Sequence, residues 1–244
     1  MPGSENSTTW RRYNVSHGKI FVELLLPGMK SILNFLIEIG KLKKIPRQGW
    51  ILREIKNPET IAAHSFRMAI MAWLLGKKRK FNVNKIIKIS LIHDICEVYA
   101  GDTTPYHQFR PRNKKEWKKI TQKWPRFSKK EKEKNFSEKH KKECTALKKL
   151  IIKLTPEVKK EIENLWLDYE KGLTPEGRFV RQVDRVENLL QALEYHKKEK
   201  HFAIEPWWLQ IEELVDDPAL LEFIGALEKN FVGNKKKQKF YLRS

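Results

Sequence analysis

The chain has 244 residues and a formal net charge of +20, and 40% of its residues are hydrophobic, with 8 Trp and 12 Phe. This length suits one large domain or two small ones, and the apolar content is sufficient for a core. Two cysteines, Cys96 and Cys144, exclude a disulfide framework, so we expect a reducing, cytoplasmic location. The polar first fifteen residues and the short run 20–26, which contains Glu23, argue against a signal peptide or a membrane span.

The chain taken in order predicts an all-α protein. Apolar residues recur at helical spacing over 28–42, and Thr60 is the expected N-cap of a second helix that Gly76 ends. The loop between them is expected to hold a short strand or extended segment at Trp50–Ile55, and a third helix is predicted over 83–98. Further helices are expected at 144–154, 156–172, 175–197 and, on either side of Asp217-Pro218, within 204–231.

Residues 106–142 interrupt this rhythm, and we name them the arm. They hold 15 Lys and Arg against 4 Glu, a net +11 of the chain's +20. A thin apolar series runs through the lysines, comprising Trp117, Ile120, Trp124 and Phe127. We therefore predict an inserted lysine-rich helical arm, partly packed and partly solvated. The expected organisation is a flexible tail at 1–19, one domain at 20–232 that contains the arm, and a basic tail at 233–244.

The strongest functional signal is the stretch LIHDICEVYAGDTTP at 91–105. His93 and Asp94 come at the end of the apolar run of the third predicted helix. Glu97 lies four and three residues after them, so the three side chains would share one helical face. Asp102 follows in a Gly-Asp-Thr-Thr-Pro turn. Four ionisable groups within ten residues indicate a binding or catalytic site.

Two more polar residues, His64 and Asp184, also lie on apolar helices. With His93 and Asp94 they offer two imidazoles and two carboxylates, a donor set that suits one divalent transition metal ion such as Mn, Co, Fe, Ni or Zn. Such an ion polarises a phosphoryl group and lowers the pKa of water. Glu97 would then act as a general acid or base.

The competing interpretation of His64 and Asp184 is purely structural. His64 would be an ordinary core histidine, and Asp184 a buried carboxylate whose charge is met by Arg181 or Arg185. Burying an aspartate among valines and leucines is costly unless its charge is compensated, and either a metal or an arginine would compensate it.

The order His64, His93-Asp94, Asp184 resembles the H…HD…D pattern of the HD-domain phosphohydrolase superfamily. Three longer segments look like those of the HD-domain 5′-deoxynucleotidase family of bacteria and eukaryotes: PETIAAHSFRMAIMAWLL, LIHDICEVYAGDTTP and FVRQVDRVENLLQALEY. KKIPRQGWILREIKNPET resembles the segment before that family's first histidine. The resemblance covers residues 30–105 and 145–230. It implies an HD-domain helical bundle that uses a divalent transition metal to remove phosphate from deoxyribonucleoside 5′-monophosphates.

The resemblance also implies roles for individual residues. The implied metal ligands are His64, His93, Asp94 and Asp184. Glu97 matches the catalytic acid or base, and Asp102 lies near the substrate, where it would manage protons or accept a sugar hydroxyl. Arg47 would bind phosphate and Trp50 would stack on a base or sugar; a solvated loop arginine and a core tryptophan are the alternatives. A nucleotide is the implied substrate and a homodimer the expected assembly.

Two features depart from the family pattern. Ala63 replaces the acidic residue that usually precedes the first ligand histidine, which would loosen or retune the metal site. The arm is much larger than the expected connection, so it would cover the pocket, contact a second subunit or bind nucleic acid.

These departures leave other functions open. The arm's lysines and aromatic residues are compatible with a nucleic-acid-binding protein built on an HD scaffold, although the predominance of lysine over arginine favours a solvated helical face. Another HD phosphohydrolase, acting on nucleoside triphosphates, cyclic nucleotides or (p)ppGpp, is a further alternative. The Gly-Asp-Thr-Thr-Pro turn and the Pro-Arg-Gln-Gly-Trp segment argue against it.

Overall fold

The computed structural model describes residues 27–109 and 111–232. These residues form eleven α-helices and no β-strand, apart from an isolated antiparallel bridge between Pro46 and Thr60. The all-α prediction is therefore confirmed for this part of the chain. The predicted tails at 1–19 and 233–244 lie outside the described residues. No described helix is both long and apolar enough to cross a membrane.

The helices are numbered in chain order. They are α1 (Pro27–Ile39), α2 (Gln48–Ile51), α3 (Ile61–Lys78), α4 (Val83–Ile92), α5 (Glu97–Ala100), α6 (Lys114–Thr121), α7 (Lys129–Ile151), α8 (Pro156–Lys171), α9 (Pro175–Lys198), α10 (Glu205–Leu214) and α11 (Pro218–Phe231). The 3₁₀ segment Gly40–Lys44 continues α1. A second 3₁₀ segment, Pro105–Phe109, begins at the proline of the Gly-Asp-Thr-Thr-Pro turn.

Helix α9 forms the centre of the larger of two apolar clusters. Val180, Val183, Val186 and Leu189 are fully buried, and the helix packs against α3, α4, α8, α10 and α11. Each of these side chains contributes about 1.5–3 kcal/mol when fully removed from water. The spacing of three and four residues that predicted an apolar face is the reason that one side of α9 can be buried throughout.

A second apolar cluster lies where α5 and α7 pack together, and α3 joins it to the first. Ile61 at the start of α3 belongs to the second cluster, and Met68 belongs to the first. Thr60 caps this helix, because its hydroxyl accepts a hydrogen bond from the Ala63 amide at 3.2 Å. His64, one turn into α3, is thus fixed at the junction of the two clusters.

The segment predicted as a short strand at Trp50–Ile55 is instead helical at its start. The amides of Trp50 and Ile51 both donate to the Arg47 carbonyl, at 3.1 and 3.3 Å, which begins the short helix α2. The strand prediction was wrong. Its basis was three apolar residues, Trp50, Ile51 and Ile55, which are too few to show a periodicity, and local hydrogen bonds decide the conformation here.

Gly76 does not end its helix, since α3 continues to Lys78. A Cβ atom at this position would collide with Ile86 Cδ1 of α4 and lie 3.3 Å from Phe179 Cε1 of α9. The glycine therefore permits close packing of three helices, and a sequence pattern cannot distinguish this role from a helix stop.

The arm is continuous with the rest of the fold at its C-terminal end. Helix α7 runs from Lys129 through residue 142 to Ile151 without a break, and Leu147 and Leu150 are buried in the second cluster. Its start is fixed by a capping box between Ser128 and Glu131. The predicted boundary at 142 is thus not a structural boundary.

Replacing Gly76 by valine tests the packing of these helices. We expect Gly76→Val to lower the free energy of unfolding by about 1–3 kcal/mol, because Ile86 is fully buried and cannot give way without displacing its neighbours. Gly225 in α11 is the matched control, since a Cβ there has no heavy atom within 4 Å. Gly225→Val should change stability by less than about 0.5 kcal/mol. Equal effects of the two substitutions in urea denaturation would contradict the packing role of Gly76.

Candidate active site

The backbone tightens where the HD motif begins, so the predicted single helix over 83–98 is wrong. Helix α4 ends at Ile92, and the Ile95 and Glu97 amides then donate three residues back, to Ile92 and Asp94 carbonyls at 3.2 and 3.0 Å. Such 3₁₀ turns often mark functional sites. Gly101 ends α5 with φ of 71°, a left-handed conformation that favours glycine, and turns the chain toward Asp102.

Both histidines of the pattern are buried and held by a hydrogen bond at Nδ1. His93 Nδ1 donates to the Ser90 carbonyl at 2.8 Å, and His64 Nδ1 donates to Glu187. In neutral imidazoles this arrangement leaves the lone pair on Nε2. Neither Nε2 atom has a hydrogen-bond partner among the described residues. A carboxylate oxygen is close to each, Asp184 Oδ1 at 3.3 Å from His64 and Asp94 Oδ2 at 2.9 Å from His93.

Asp184 is buried and Asp94 is half-buried, and both carboxylates remain ionised. Burial by itself raises the pKa of Asp94, but His93 and Arg47 outweigh it and hold this pKa below its ordinary value. Burial opposes the ionisation of Asp184 in the same way, and Arg185 with His64 holds its pKa well below the usual range. The site therefore has two negative charges beside two unpartnered imidazole nitrogens.

This donor set fits a divalent metal ion. Ligand atoms of His64, His93 and Asp94 lie within 4.8 Å of one another, and Asp184 Oδ1 lies beside His64. Burial lowers the pKa of His64, but Glu187 and Asp184 raise it overall to about 10, so without a metal a proton is held between ring and carboxylates. A cation would replace that proton and satisfy both orphaned Nε2 atoms. The structure thus brings the four sequence-predicted ligands together, and their coordinating role stays a prediction.

Glu97 and Asp102 lie close to this centre. Glu97 is 4% exposed, and its Oε2 atom has no hydrogen-bond partner within the described residues. Burial raises the pKa of the Glu97 carboxyl, and Asp94 and Asp102 raise it further, which favours the protonated form. A protonated buried carboxyl suits a general acid. Asp102 Oδ2 accepts a hydrogen bond from the Gln48 amide at 2.7 Å, which fixes the carboxylate in place.

The two residues expected to contact substrate, Arg47 and Trp50, differ in their surroundings. The Arg47 Nη1 atom donates to Asp94 Oδ2 at 2.7 Å and its Nη2 atom to Asn188 Oδ1 at 3.2 Å. Trp50 is 2% exposed and stacks on Trp207 with ring centroids 5.3 Å apart. This packing favours the core-tryptophan alternative, whereas Trp50 also belongs to the wall of a cavity, and its contact with a base or sugar stays a prediction.

Several functional neighbours were missed by the sequence analysis. Glu187 holds His64, and Arg67 Nε donates to Glu187 Oε1 at 2.7 Å. Asp184 accepts hydrogen bonds from Tyr169 at 2.8 Å and from Asn188 at 2.9 Å. Glu187 and Asn188 lie three and four residues after Asp184, so helical spacing alone was a usable signal for them.

Two expectations from the sequence concern the charges beside Asp184 and His64. Arg185, one of the two arginines considered for Asp184, does form an ion pair with it. Glu187 bonds to the Nδ1 atom of His64, and the expectation that Ala63 loosens or retunes the metal site stays a prediction.

The site opens into a cavity of about 900 Å³. Its walls include Asp94, Glu97, Asp102 and Asp184, whereas the two histidines lie behind this wall. Part of the wall comes from the arm, including Trp124, Phe127 and Lys139. Among the three roles considered for the arm, covering the pocket is the one that these contacts favour.

Replacing Glu187 tests its support of His64. We expect Glu187→Gln to weaken divalent-metal binding by about 10- to 100-fold, because the neutral amide makes the imidazole a poorer ligand. Competition with a chelating dye of known affinity measures this change. Glu194→Gln is the matched control, since Glu194 shares the Arg67 partner but is not bonded to His64. Equal affinities in both variants would assign Glu187 to stability alone.

Comparison with known proteins supports the motif resemblance. A profile of the HD domain family matches residues 39–212. The 5′-deoxynucleotidase HDDC2 of Xenopus laevis is 37% identical over 171 residues, covering 70% of this chain and 72% of that protein. The 5′-deoxynucleotidase HDDC2 of Homo sapiens is 30% identical over 202 residues, covering 82% of this chain and 86% of that protein.

A solved structure shares the fold. It is described as a predicted metal-dependent phosphohydrolase from Magnetospirillum magnetotacticum MS-1, and it matches with a TM-score of 0.59 and 25% identity, covering 84% of this chain and 93% of the other. The chain therefore belongs to the HD domain family, and its curated relatives within that family are 5′-deoxynucleotidases.

Proposed function

We propose that this protein is a metal-dependent phosphomonoesterase that hydrolyses deoxyribonucleoside 5′-monophosphates to deoxynucleosides and phosphate. The observation that carries the proposal is the buried pair of unpartnered Nε2 atoms, on His64 and His93, beside two ionised carboxylates that line a cavity. The relatives named 5′-deoxynucleotidase support the substrate class. An arrangement of this kind suits phosphate-ester hydrolysis better than binding alone, because groups with strongly shifted pKa values gather at one point beside a cavity.

We assign His64, His93, Asp94 and Asp184 as the residues that would hold one divalent transition metal ion, Mn, Co, Fe, Ni or Zn. When bound, the ion supplies polarisation of the phosphoryl group and a lowered pKa for water. The protein supports this chemistry by keeping both histidines oriented through Nδ1 and by keeping both aspartates ionised.

Three further residues, Arg47, Glu97 and Asp102, position the substrate or transfer protons. Arg47, already directed at Asp94, presents a planar guanidinium that can bind two phosphate oxygens. Water forms the new bond to phosphorus while the bond to the 5′-oxygen breaks. Glu97, a buried carboxyl with a raised pKa, gives its proton to that leaving oxygen, and the proton lost by the attacking water restores the carboxyl. Asp102, held by the Gln48 amide, accepts a hydrogen bond from a hydroxyl group of the deoxyribose.

The nature of the reaction is tested by measuring phosphate release from ribo- and deoxyribonucleoside mono- and triphosphates. Metal-stripped protein receives Mn, Co, Ni, Zn or Mg, one at a time. We expect phosphate release from deoxyribonucleoside monophosphates. The rate of release should fall by roughly 100-fold or more in His93→Ala and in Asp184→Ala. Activity confined to triphosphates would overturn the substrate class. Folded protein, verified by circular dichroism, that is inactive with every metal would overturn the enzymatic assignment.

The same assay separates the roles of the two acids. Glu97→Gln should lower kcat by about 10²–10⁴-fold, because no other proton donor replaces the carboxyl. Asp102→Asn should mainly raise KM, since the amide oxygen still accepts a hydrogen bond but lacks the charge. A fall in kcat for Asp102→Asn as large as that for Glu97→Gln would move Asp102 into proton transfer.

Two predictions about partners remain untested. The expected homodimer would bury the exposed apolar side chains along one face of α3, which are Phe66, Ile70, Trp73 and Leu74. Nucleic-acid binding through the arm stays the less favoured alternative.

A further inference from the structure

The cavity is larger than the catalytic residues require, and its second half is built from α7. Its volume of about 900 Å³ lies at the upper end of the usual range for small-molecule sites. Asn135, Phe136 and Lys139, from the first half of α7, line it together with Asp94 and Glu97. A phosphate and a sugar at the catalytic end would therefore leave room for a further group against α7.

Phe136 is the outer end of an aromatic stack that begins in the core. Trp166 of α8 stacks on His140 with centroids 5.2 Å apart and planes 20° apart. His140 in turn stacks on Phe136 at 5.5 Å and 18°. The exposed fraction rises outward, from 3% for Trp166 through 26% for the His140 side chain to 44% for Phe136. A rigid row of nearly parallel rings thus ends at the cavity with an exposed phenyl group.

The stack is held between two helices by buried charge. Lys139 Nζ lies 2.7 Å from Glu143 on its own helix and 3.8 Å from Glu170 on α8. His140 Nδ1 also lies 3.5 Å from Glu170 Oε2. These contacts fix α7 against α8, so the position of Phe136 does not depend on a loop.

A polar group suited to a heteroaromatic ring lies next to Phe136 in the sequence. The Nδ2 atom of Asn135 is buried, yet it has no hydrogen-bond partner in the described part of the chain. A carboxamide offers a donor and an acceptor side by side, the pattern displayed by the edge of a nucleobase. Leaving such a group unpaired is costly, and because Asn135 belongs to the cavity wall, the edge of a bound base would give its amide a partner.

The segment before α7 also contributes to the cavity wall. Trp124 and Phe127 line the cavity, and Trp124 Nε1 donates to Glu213 Oε2 of α10 at 3.1 Å. Arg126 forms an ion pair with the same carboxylate. One residue of α10 therefore holds the arm over the pocket.

We propose that the arm forms a nucleobase subsite, in which Phe136 stacks on the base and the Asn135 amide binds its edge. This inference rests on the proposed function and specifies how its substrate is selected. The arm then determines affinity for the base, whereas the metal-ligand residues act only on the phosphate ester. Stacking of one base on an aromatic side chain contributes about 1–3 kcal/mol, or roughly 5- to 150-fold in affinity.

The test compares a substrate with a base and one without. The ratio of kcat/KM for deoxyadenosine 5′-monophosphate to that for 2-deoxyribose 5-phosphate should fall roughly 5- to 150-fold in Phe136→Ala. Phe136→Tyr keeps an aromatic face and should retain the ratio, whereas Phe136→Leu keeps apolar volume alone and should lose it. Ser137→Ala, at an exposed neighbour outside the cavity, is the control and should leave the ratio unchanged.

Calorimetric binding of deoxyadenosine, which has no phosphate, provides a readout that does not require turnover. We expect Phe136→Ala and Asn135→Ala to weaken this binding. A ratio unchanged in Phe136→Ala, or an equal loss for both substrates, would overturn the subsite. Wild-type protein that hydrolyses neither substrate but binds deoxyadenosine through Phe136 would overturn the proposed function and keep the base subsite.

Discussion

The burial of negative charge inside a helical core is the constraint on which the site depends. Asp184 lies between Val183 and Val186 on α9, helix neighbours that are fully buried, so its charge has to be met locally. Arg185, Tyr169 and Asn188 each direct a donor at it. Even so, His64 Nε2 stays close by without a hydrogen bond. The surrounding protein has compensated the carboxylate while keeping one direction open for a cation.

A second layer of charges holds this arrangement in place. Glu187 lies between His64 and Arg67, so the imidazole, the carboxylate and the guanidinium form one chain of hydrogen bonds running from the site toward the surface. Asp184 and Glu187 lie three residues apart on one face of α9, so this helix places both carboxylates beside His64. One helix therefore supplies both an expected ligand and the support for a ligand on another helix.

The sequence predicted the fold class, most helices and the residues that meet at the site, because helical periodicity and the spacing of ionisable residues are local signals. It did not predict the tightened turn after Ile92, because a change from four-residue to three-residue hydrogen bonds leaves no mark in an apolar pattern. Nor did it show that Trp50 stacks on Trp207, because only packing brings the two rings together. Gly76 was misread for the same reason, since its neighbours come from other helices.

The anchoring of the arm has a consequence for its response to salt. Arg126 and Glu213 remain substantially exposed, with 67% and 33% of their side-chain surfaces accessible, and an exposed ion pair of this kind contributes about 0–1 kcal/mol. A latch of that strength is comparable with thermal energy, and it weakens as ionic strength rises. The ion pair is therefore the salt-sensitive part of an anchoring that also includes hydrogen bonds from Trp124 to Glu213 and from Tyr106 to the Lys123 carbonyl, so added salt weakens the cover over the cavity without releasing it.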